Sequence, residues 1–585
     1  MNRALVCASV ALMLSGCSNN KPQAEEFSKL AEEFVYTTLA NSPVTATQVG
    51  YHKHGNVQLD AELDDYSSQG IAKIRRWYQD FRIRLQRSVK PDSLNAEDRA
   101  DLDIIQDQIA QTLLELDTIQ NYRHNPTTYV ELIGNAVYVP FMLEYTDKPT
   151  RFRHIISRMQ KIPTLVQQSQ QNLESAPTIW TTVAQGENEG NIALIDQELR
   201  AACPAELRGD YDKAATGALK SLRGLNAWLK NDLAKTSYPW QLGADNYAAK
   251  FRFVPETDQK PEQVLASADD ELKRYRDEMY RLALPMYQKA HPGDTDTADH
   301  NKVIRDVLNT IAQRHSTPDT YFADAEKDLQ DTTAFVKSKD LLTLPARSNL
   351  KVIPTPEFMR GIYSVGGFNA APALEPQLGA YYWITPIDKT QPPEKIESRL
   401  REYNFYGLKL LTIHEAMPGH YVQLEYANDI QPPLRRIIRA VFGNGAYVEG
   451  WAVFATEMML DAGYLDNSPE LRLTFDKQQL RVVANTILDI RLQTMAMTDD
   501  EAMKLMTEDC FQEKEEAAGK LRRAKLSSTQ LPTYFVGWRD WHRVRDRYKE
   551  AHGGNLNLKE FNERALKESS VPLPVLSRLI TGKSL

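Results

Sequence analysis

The sequence predicts a mainly α-helical protein, a large multi-helix body that carries one small β-sheet. Apolar residues recur every three or four positions over long stretches, with charged residues between them, which is the pattern of amphipathic helices. The clearest examples are two stripes, formed by Ile71, Ile74, Trp77, Phe81 and Leu85 and then by Leu102, Ile105, Ile109, Leu113 and Leu116. Such stripes usually face a core, so we assign them a packing role.

Other elements follow from changes of composition along the chain. A long charged helix is predicted from about Glu262 to Ala290. Residues 342–393 are rich in proline, glycine and aromatic residues, and within them Ala380–Thr385 (AYYWIT) is the best strand candidate, because aromatic and β-branched residues favour strands. A further change near residue 240 divides the chain into an N-terminal helical region, 27–240, and a second region, 241–585.

The N-terminus has the order of a signal peptide over residues 1–16. Arg3 supplies a positive charge, a short apolar stretch follows, and small residues close the segment. The apolar stretch is too short for a permanent membrane-spanning helix. Leu-Ser-Gly-Cys, which ends at Cys17, is similar to the bacterial lipobox, in which the cysteine is acylated and becomes the first residue.

The lipobox likeness predicts an exported protein that is held to a bacterial membrane by lipid chains on Cys17. Residues 17–26 are polar and are predicted to form a lipid-attached tether. Ser18, where an aspartate would signal retention, favours the outer membrane with the protein facing the periplasm. The alternative is an ordinary cleaved signal with an incidental cysteine.

Composition narrows the class of protein further. The fractions of hydrophobic (42%) and charged (25%) residues are ordinary for a globular protein. The net charge of −8 argues against nucleic-acid binding. No stretch after Cys17 is apolar enough to cross a membrane, so we expect membrane contact through the N-terminal lipid alone. The sequence leaves open the oligomeric state and whether Cys203 and Cys510 pair.

The segment Leu410–His420 (LLTIHEAMPGH) contains two histidines and a glutamate that directly follows the first. Zinc favours neutral imidazole ligands, and a catalytic zinc site keeps three protein ligands and a water. A carboxylate beside that water can take its proton and later deliver it to a leaving amine. The pattern therefore predicts a Zn²⁺ site with His414 and His420 as ligands and Glu415 as general base.

The spacing of the two histidines departs from the common metallopeptidase motif H-E-x-x-H. Six positions correspond to about 240° around an ideal helix, so both side chains can reach one ion only if the helix is distorted. Pro418 supplies a cause, since it has no N–H and clashes with the preceding turn, and Gly419 permits an unusual backbone. We therefore predict a distorted helix between His414 and His420.

A third metal ligand is expected from a following helix. Glu449 lies at the start of a strongly apolar helix, and an acid in such a position usually has a partner. Glu457 lies eight residues further on, roughly on the same side. It is the alternative ligand, or an acid that orients a ligand histidine.

These motifs resemble a known family, the bacterial proteins of unknown function numbered 885, many of which are classed as lipoproteins. Its hallmarks are H-E-A-x-P-G-H, found here at His414–His420, and a helix with E-G-W-A, found here at Glu449–Ala452. The family is considered related to helical zinc metallopeptidases. The resemblance thus implies His414, His420 and Glu449 as zinc ligands and Glu415 as general base.

The resemblance extends over most of the second half of the chain. Arg523, Gln530, Tyr534 and Gly537 look like the family's late motif R-Y…P-G-Q-A-x-x-Y-x-x-G, although the proline and glycine are absent here. The match favours the Tyr534 phenol as a donor to the oxyanion that develops during hydrolysis. The family often shows D-x-G-x-H near Asp489, a residue we expect to support the site, but this chain lacks that histidine.

The expected function is zinc-dependent hydrolysis of peptides by an oligopeptidase or a carboxypeptidase-like enzyme. A guanidinium binds a carboxylate through two parallel hydrogen bonds, so Arg481, Arg491 and Arg523 are candidates for binding a peptide's terminal carboxylate. The strand candidate, with Tyr381 and Tyr382, is expected to hold the substrate backbone by edge pairing, with Gly366–Asn369 as a mobile loop beside it.

Two other classes of protein remain open at this point. One is an amidase of cell-wall peptides that uses the same site. The other is a non-catalytic binding lipoprotein whose metal site is degraded or structural. Glu415 discriminates between enzyme and binding protein, because water activation needs this carboxylate and a structural metal site does not.

Overall fold

The computed structural model describes residues 21–360 and 363–585, and helices make up 71% of it. The predicted signal peptide and Cys17 lie outside the described residues. Residues 21–26, predicted as part of the tether, form the beginning of the first helix.

The helices are α1 (Lys21–Ala40), α2 (Pro43–Gln48), α3 (Ser68–Ser88), α4 (Ala96–Leu114), α5 (Asn121–His124), α6 (Thr127–Met142), α7 (Lys148–Asn172), α8 (Thr178–Ala193), α9 (Arg200–Ala202), α10 (Arg208–Asn231), α11 (Gly243–Phe251), α12 (Pro261–Ala290), α13 (His300–Ala312), α14 (Tyr321–Lys339), α15 (Pro393–Glu402), α16 (Phe405–Glu415), α17 (His420–Ala427), α18 (Pro433–Val441), α19 (Gly445–Asp461), α20 (Pro469–Thr494), α21 (Asp499–Lys504), α22 (Lys514–Leu526), α23 (Pro532–Ala551), α24 (Leu558–Lys567) and α25 (Leu573–Thr581). The strands are β1 (Lys53–His54), β2 (Val57–Gln58), β3 (Leu350–Pro354), β4 (Gly366–Asn369) and β5 (Ala380–Ile384).

The mainly helical class with a small sheet is confirmed. The two predicted stripes lie on α3 and on α4 with its π-helical extension Glu115–Ile119, and the predicted long helix is α12. In the residues described, no helix is long and apolar enough to cross a membrane. Cys203 and Cys510 are both buried and unpaired with each other.

The three-stranded sheet has the order β3-β5-β4, so the predicted strand β5 is its centre. β3 runs parallel to β5, and β4 runs antiparallel to it with Phe368 opposite Tyr382. All five residues of β5 are buried because both faces of the sheet are covered. Tyr381 and Trp383 pack against the helices α6–α10, whereas Tyr382 and Ile384 pack against the core that contains α16 and α19.

The loop between α10 and α11 contains the predicted boundary near residue 240. Helices from both sides of this loop share one hydrophobic core: α1, α3 and α4 pack with α16, α18, α19 and α25. A second core joins α11–α13 to α20, α22 and α23. The helices α16, α17, α19, α20, α22 and α23 contribute residues to one cavity.

Candidate metal centre

Two short helices carry the histidine motif, and a turn separates them. The side chain of Asn404 caps the start of α16 by accepting from the N–H groups of Tyr406 and Gly407 at 3.0 and 3.2 Å. The helix α16 ends at Glu415 and α17 begins at His420. The prediction of one distorted helix is therefore wrong: Pro418, which has no N–H, falls in a break between two helices.

The turn between the histidines is fixed by two close contacts. A methyl group on Gly419 would lie 1.9 Å from the His414 carbonyl oxygen, so only glycine fits there. The indole of Trp451, on α19, donates to the Pro418 carbonyl at 3.0 Å. These contacts hold the turn against α19, the helix that also carries Glu449.

The side chains of His414, His420 and Glu449 converge on one point. Asn444 caps α19 by accepting from the Tyr447 N–H at 2.8 Å. Glu449 Oε2 then lies 3.6 Å from His414 Nε2 and 3.4 Å from His420 Nε2. The three candidate ligand atoms all lie within 4.8 Å of one another.

This geometry fits a zinc ion. Two ligands at about 2.0–2.1 Å from a tetrahedral zinc lie about 3.3 Å apart, close to the spacing of Glu449 Oε2 and each imidazole. Glu449 Oε2 is also buried and has no hydrogen-bond partner among the described residues. A buried carboxylate oxygen without a donor is costly unless a cation meets it. The two imidazoles and the carboxylate are thus a ligand set that zinc takes.

The surroundings shift the pKa values of the two glutamates in the centre in opposite directions, downward for Glu449 and upward for Glu415. Burial alone raises the pKa of Glu449, but the imidazoles of His414 and His420 outweigh it and hold that pKa below its usual range. Burial also raises the pKa of Glu415, and the Glu449 charge adds to it. Glu415 therefore binds a proton more tightly than an ordinary glutamate does.

A second pair of helices places Tyr534 beside Glu449. α19 and α23 approach closely at Gly450, where a methyl group would lie 2.3 Å from the Gly537 carbonyl carbon. The Tyr534 ring lies 6.2 Å from the His414 ring and nearly parallel to it, at 17°. Gln530, which precedes α23, donates to Glu449 Oε1 at 3.4 Å. Burial and then the Glu449 charge raise the pKa of Tyr534, so its phenol remains protonated.

These residues line a cavity of about 480 Å³. The strand β4 forms one wall through Gly366, Gly367 and Phe368, so the sheet does lie next to the site. Another wall comes from α20 and α22 and carries the cations Arg481, Lys520, Arg522 and Arg523. The cavity therefore has a ligand cluster at one side and a positive wall at another.

The structure places Tyr381 and Tyr382 away from the cavity, and their predicted substrate-binding role is wrong. Tyr381 donates to the Met142 carbonyl at 3.4 Å on the face of the sheet that covers α6. Tyr382 is buried behind the histidine helix, where its hydroxyl lies 3.1 Å from Thr412 Oγ1. Because β5 is flanked by β3 and β4, it has no free edge for a substrate.

The three arginines predicted to bind a substrate carboxylate differ in location and in hydrogen-bond partners. Arg491 pairs with Asp269 at 2.8 Å outside the cavity, so it is not available to a substrate there. Arg481 lines the cavity but pairs with Glu516 and donates to the Tyr403 hydroxyl at 2.7 Å. Arg523 lines the cavity and donates to Gln530 Oε1 at 3.4 Å. Lys520 was not predicted, since a lysine in a charged helix carries no distinguishing signal.

The two acids predicted to support the ligands also lie elsewhere. Glu457 accepts from Trp538 Nε1 and contacts His542 Nε2, both at 2.8 Å, between α19 and α23. It is neither a third ligand nor a partner of His414 or His420. Asp489 is buried and accepts from the Tyr247 hydroxyl at 2.7 Å and the Thr529 N–H at 2.8 Å. Asp489 thereby anchors the segment that leads to Gln530 and Tyr534.

Fold and site together define a mainly helical protein with a candidate metal centre of two histidines and a glutamate. The profile of the family described as "Bacterial protein of unknown function (DUF885)" matches residues 43–580, and the chain belongs to this family. No curated protein matches the sequence.

Solved structures share the fold over nearly the whole chain. A "putative lipoprotein of unknown function" from Shewanella oneidensis is 27% identical, with a TM-score of 0.78 over 94% of this chain and 99% of that one. A "putative lipoprotein" from Colwellia psychrerythraea is 16% identical, with a TM-score of 0.77 over 96% and 99%. Trypanosoma cruzi metallocarboxypeptidase 1 gives a TM-score of 0.43 at 11% identity over 96% and 97%, a likeness too slight to carry an argument.

Proposed function

We propose that the protein is a zinc-dependent peptide hydrolase. The observation that carries this proposal is the convergence of His414 Nε2, His420 Nε2 and Glu449 Oε2 in a cavity that Glu415 also lines. His414, His420 and Glu449 would hold the zinc, which would supply a Lewis acid able to lower the pKa of water toward ~7 and to offset negative charge on the substrate oxygen. The chain's own residues account for the remaining steps.

Glu415 is the general base in this proposal. Its carboxylate accepts the proton of the attacking water and then delivers it to the leaving amine as the peptide C–N bond breaks. A carboxyl whose pKa is raised by burial is a better base near neutral pH than an exposed glutamate. The protonated Tyr534 phenol, beside Glu449, donates a hydrogen bond to the oxyanion that forms on the carbonyl oxygen.

The edge strand β4 is suited to hold an extended substrate. The Val365 carbonyl accepts from the Thr385 N–H at 2.8 Å, and the antiparallel register continues through Gly367 opposite Trp383. In this ladder the N–H and C=O groups of Gly366 and Phe368 point away from β5, toward the open side. Both residues line the cavity, so a peptide backbone can pair with them there.

We also propose that the protein is exported and lipid-anchored through Cys17, at the outer membrane and facing the periplasm. The lipobox-like Leu-Ser-Gly-Cys supports the anchor, and Ser18 supports the outer membrane. The two relatives described as lipoproteins share the fold of this chain.

Digestion of a mixed peptide library tests the hydrolase proposal. We expect cleavage by the zinc-loaded protein, none after zinc is removed, and recovery when zinc is restored. Glu415→Gln should retain zinc and lose about 10²-fold or more of the rate, the usual contribution of a general base. If Glu415→Gln cleaves the library as fast as the unmodified protein, the enzymatic proposal is wrong and a structural metal site is favoured.

A further inference from the structure

Lys520 and Arg523 form a pair of cations without an anionic partner. Both lie on α22, three residues apart and hence on the same face of the helix, and both line the cavity. Among the described residues, no carboxylate lies within 4.0 Å of either side chain. The hydrogen bond from Arg523 to Gln530 Oε1 is long, at 3.4 Å, and its acceptor is neutral.

Arg481, a neighbouring cation of the same wall, differs from this pair because it has an anionic partner. Arg481, on α20, also lines the cavity, but Glu516 and the Tyr403 hydroxyl satisfy its guanidinium. Glu516 belongs to the same helix as Lys520 and Arg523, so α22 neutralises Arg481 and leaves Lys520 and Arg523 without a carboxylate partner. Arg360 and Arg522 also line the cavity, but both are exposed to solvent. The partly buried positive charge that has no carboxylate partner is therefore that of Lys520 and Arg523.

Two like charges side by side in a partly enclosed cavity are unfavourable unless an anion joins them. Burial and repulsion from Arg481 and Arg523 together lower the pKa of Lys520 well below its usual range, as expected for a cation that lacks a counter-charge. The Glu449 charge raises the pKa of Lys520 but does not offset this lowering, and the Glu449 carboxylate is directed at the two histidines. Lys520 and Arg523 are therefore suited to bind an anionic group of a ligand.

We propose that Lys520 and Arg523 bind the C-terminal carboxylate of a peptide and make the protein a carboxypeptidase, an inference that rests on the proposed function. Every unmodified peptide carries this carboxylate, and its planar shape matches a guanidinium beside an ammonium group. Water adds to the scissile carbonyl, the C–N bond breaks, and Glu415 transfers the water proton to the leaving amine. The products are a shortened peptide and a C-terminal fragment whose carboxylate stays on Lys520 and Arg523.

Two N-acetylated pentapeptide libraries of equal composition test the proposal, one with a C-terminal acid and one with a C-terminal amide. The zinc-loaded protein should cleave the acid at least about tenfold faster. Lys520→Met should lower kcat/KM for the acid by about 10- to 100-fold, the range of charge-assisted hydrogen bonds, and leave the amide unchanged. Lys514→Met, at an exposed position of the same helix, is the matched control and should change neither rate.

Zinc content and thermal midpoint separate this role from a structural one. Lys520→Met should keep its zinc and melt at the same or a higher temperature, because the substitution removes an unpaired cation. Binding of the two libraries to zinc-loaded Glu415→Gln, measured by calorimetry, gives a readout that needs no turnover. The acid library should bind at least about tenfold more tightly than the amide library.

The outcomes are distinguishable. If acid and amide are cleaved at equal rates, the carboxylate proposal is overturned while the hydrolase proposal stands. If neither is cleaved, the hydrolase proposal fails and the calorimetric comparison decides the carboxylate site. If an amidated library that ends in Asp or Glu is cleaved as fast as the acid, the cation pair recognises acidic side chains and not the C-terminus.

Discussion

Gly450 and Gly537 meet where α19 crosses α23, and neither position has room for a methyl group. A Cβ on Gly450 would lie 2.3 Å from the Gly537 carbonyl carbon, and one on Gly537 would lie 2.0 Å from the Ala446 carbonyl oxygen. Glu449 directly precedes the first glycine, and Tyr534 lies one turn before the second. This contact therefore sets the distance between the candidate ligand and the candidate oxyanion donor.

Gly537→Ala should push α19 and α23 apart. We expect a loss of about 1–3 kcal/mol in the free energy of unfolding, the usual cost of overpacking, together with weaker zinc binding. Gly224→Ala is the control, since Gly224 is an exposed helical glycine with open space around its Cα. That variant should gain about 0.5–1 kcal/mol from helix propensity. Chemical denaturation measures both free energies. If Gly537→Ala has the same free energy of unfolding and the same zinc affinity as the unmodified protein, the proposed role of the contact is contradicted.

Glu449→Gln and Glu457→Gln form a matched pair on α19. Glu449 faces the two histidines, whereas Glu457 contacts Trp538 and His542. We expect Glu449→Gln to lower zinc affinity by about 10-fold or more, because an amide is a much weaker zinc ligand than a carboxylate. Glu457→Gln should keep the affinity of the unmodified protein. Competition with a chromophoric chelator measures both, and the reverse result would assign the third ligand to Glu457.

Sequence could predict the parts of this protein that depend on local pattern. The helical stripes became α3 and α4, and the apolar stretch Ala380–Thr385 became β5. The candidate ligands were visible because a histidine or glutamate in an apolar helix is costly without a partner.

Features set by distant residues could not be predicted. Tyr381 and Tyr382 are buried because β3 and β4 flank β5, and these strands come from separate segments. Arg491 pairs with Asp269, which is 222 positions away along the chain. Lys520 belongs to the cavity only because α22 packs against α20, α15 and α8.

Asp489 should make stability depend on pH. Burial raises its pKa to about 7 from an ordinary value of 3.8. Between these values the folded protein binds more protons than the unfolded chain, so the free energy of unfolding falls as pH rises. Asp489→Asn removes this dependence, and relative to the unmodified protein it should gain on the order of 2 kcal/mol between pH 5 and pH 8.

Denaturant titrations at the two pH values measure this gain. Asp270→Asn is the control, because the Asp270 side chain is 81% exposed and its substitution should have nearly the same effect at both pH values. A pH-independent difference between Asp489→Asn and the unmodified protein would show that Asp489 is ionised throughout.

Cys17→Ala should release the exported protein from the membrane. The lipobox cysteine is the only lipid attachment site that the sequence predicts, and several acyl chains are needed for stable anchoring. We expect labelled palmitate in the membrane fraction for the unmodified protein and no label for the variant. A variant that remains in the membrane fraction would contradict the lipid anchor.

Zinc-edge anomalous diffraction on crystals grown with zinc shows whether His414, His420 and Glu449 bind the metal. We expect one strong peak about 2.0–2.2 Å from His414 Nε2, His420 Nε2 and a carboxylate oxygen of Glu449. The same data from Glu449→Gln crystals should show a weaker peak or none. The zinc concentration should be high enough for peaks to appear at other zinc sites in the crystal. If the cavity is then well ordered but has no peak at this position, the metal centre is contradicted, and the proposed hydrolase with it.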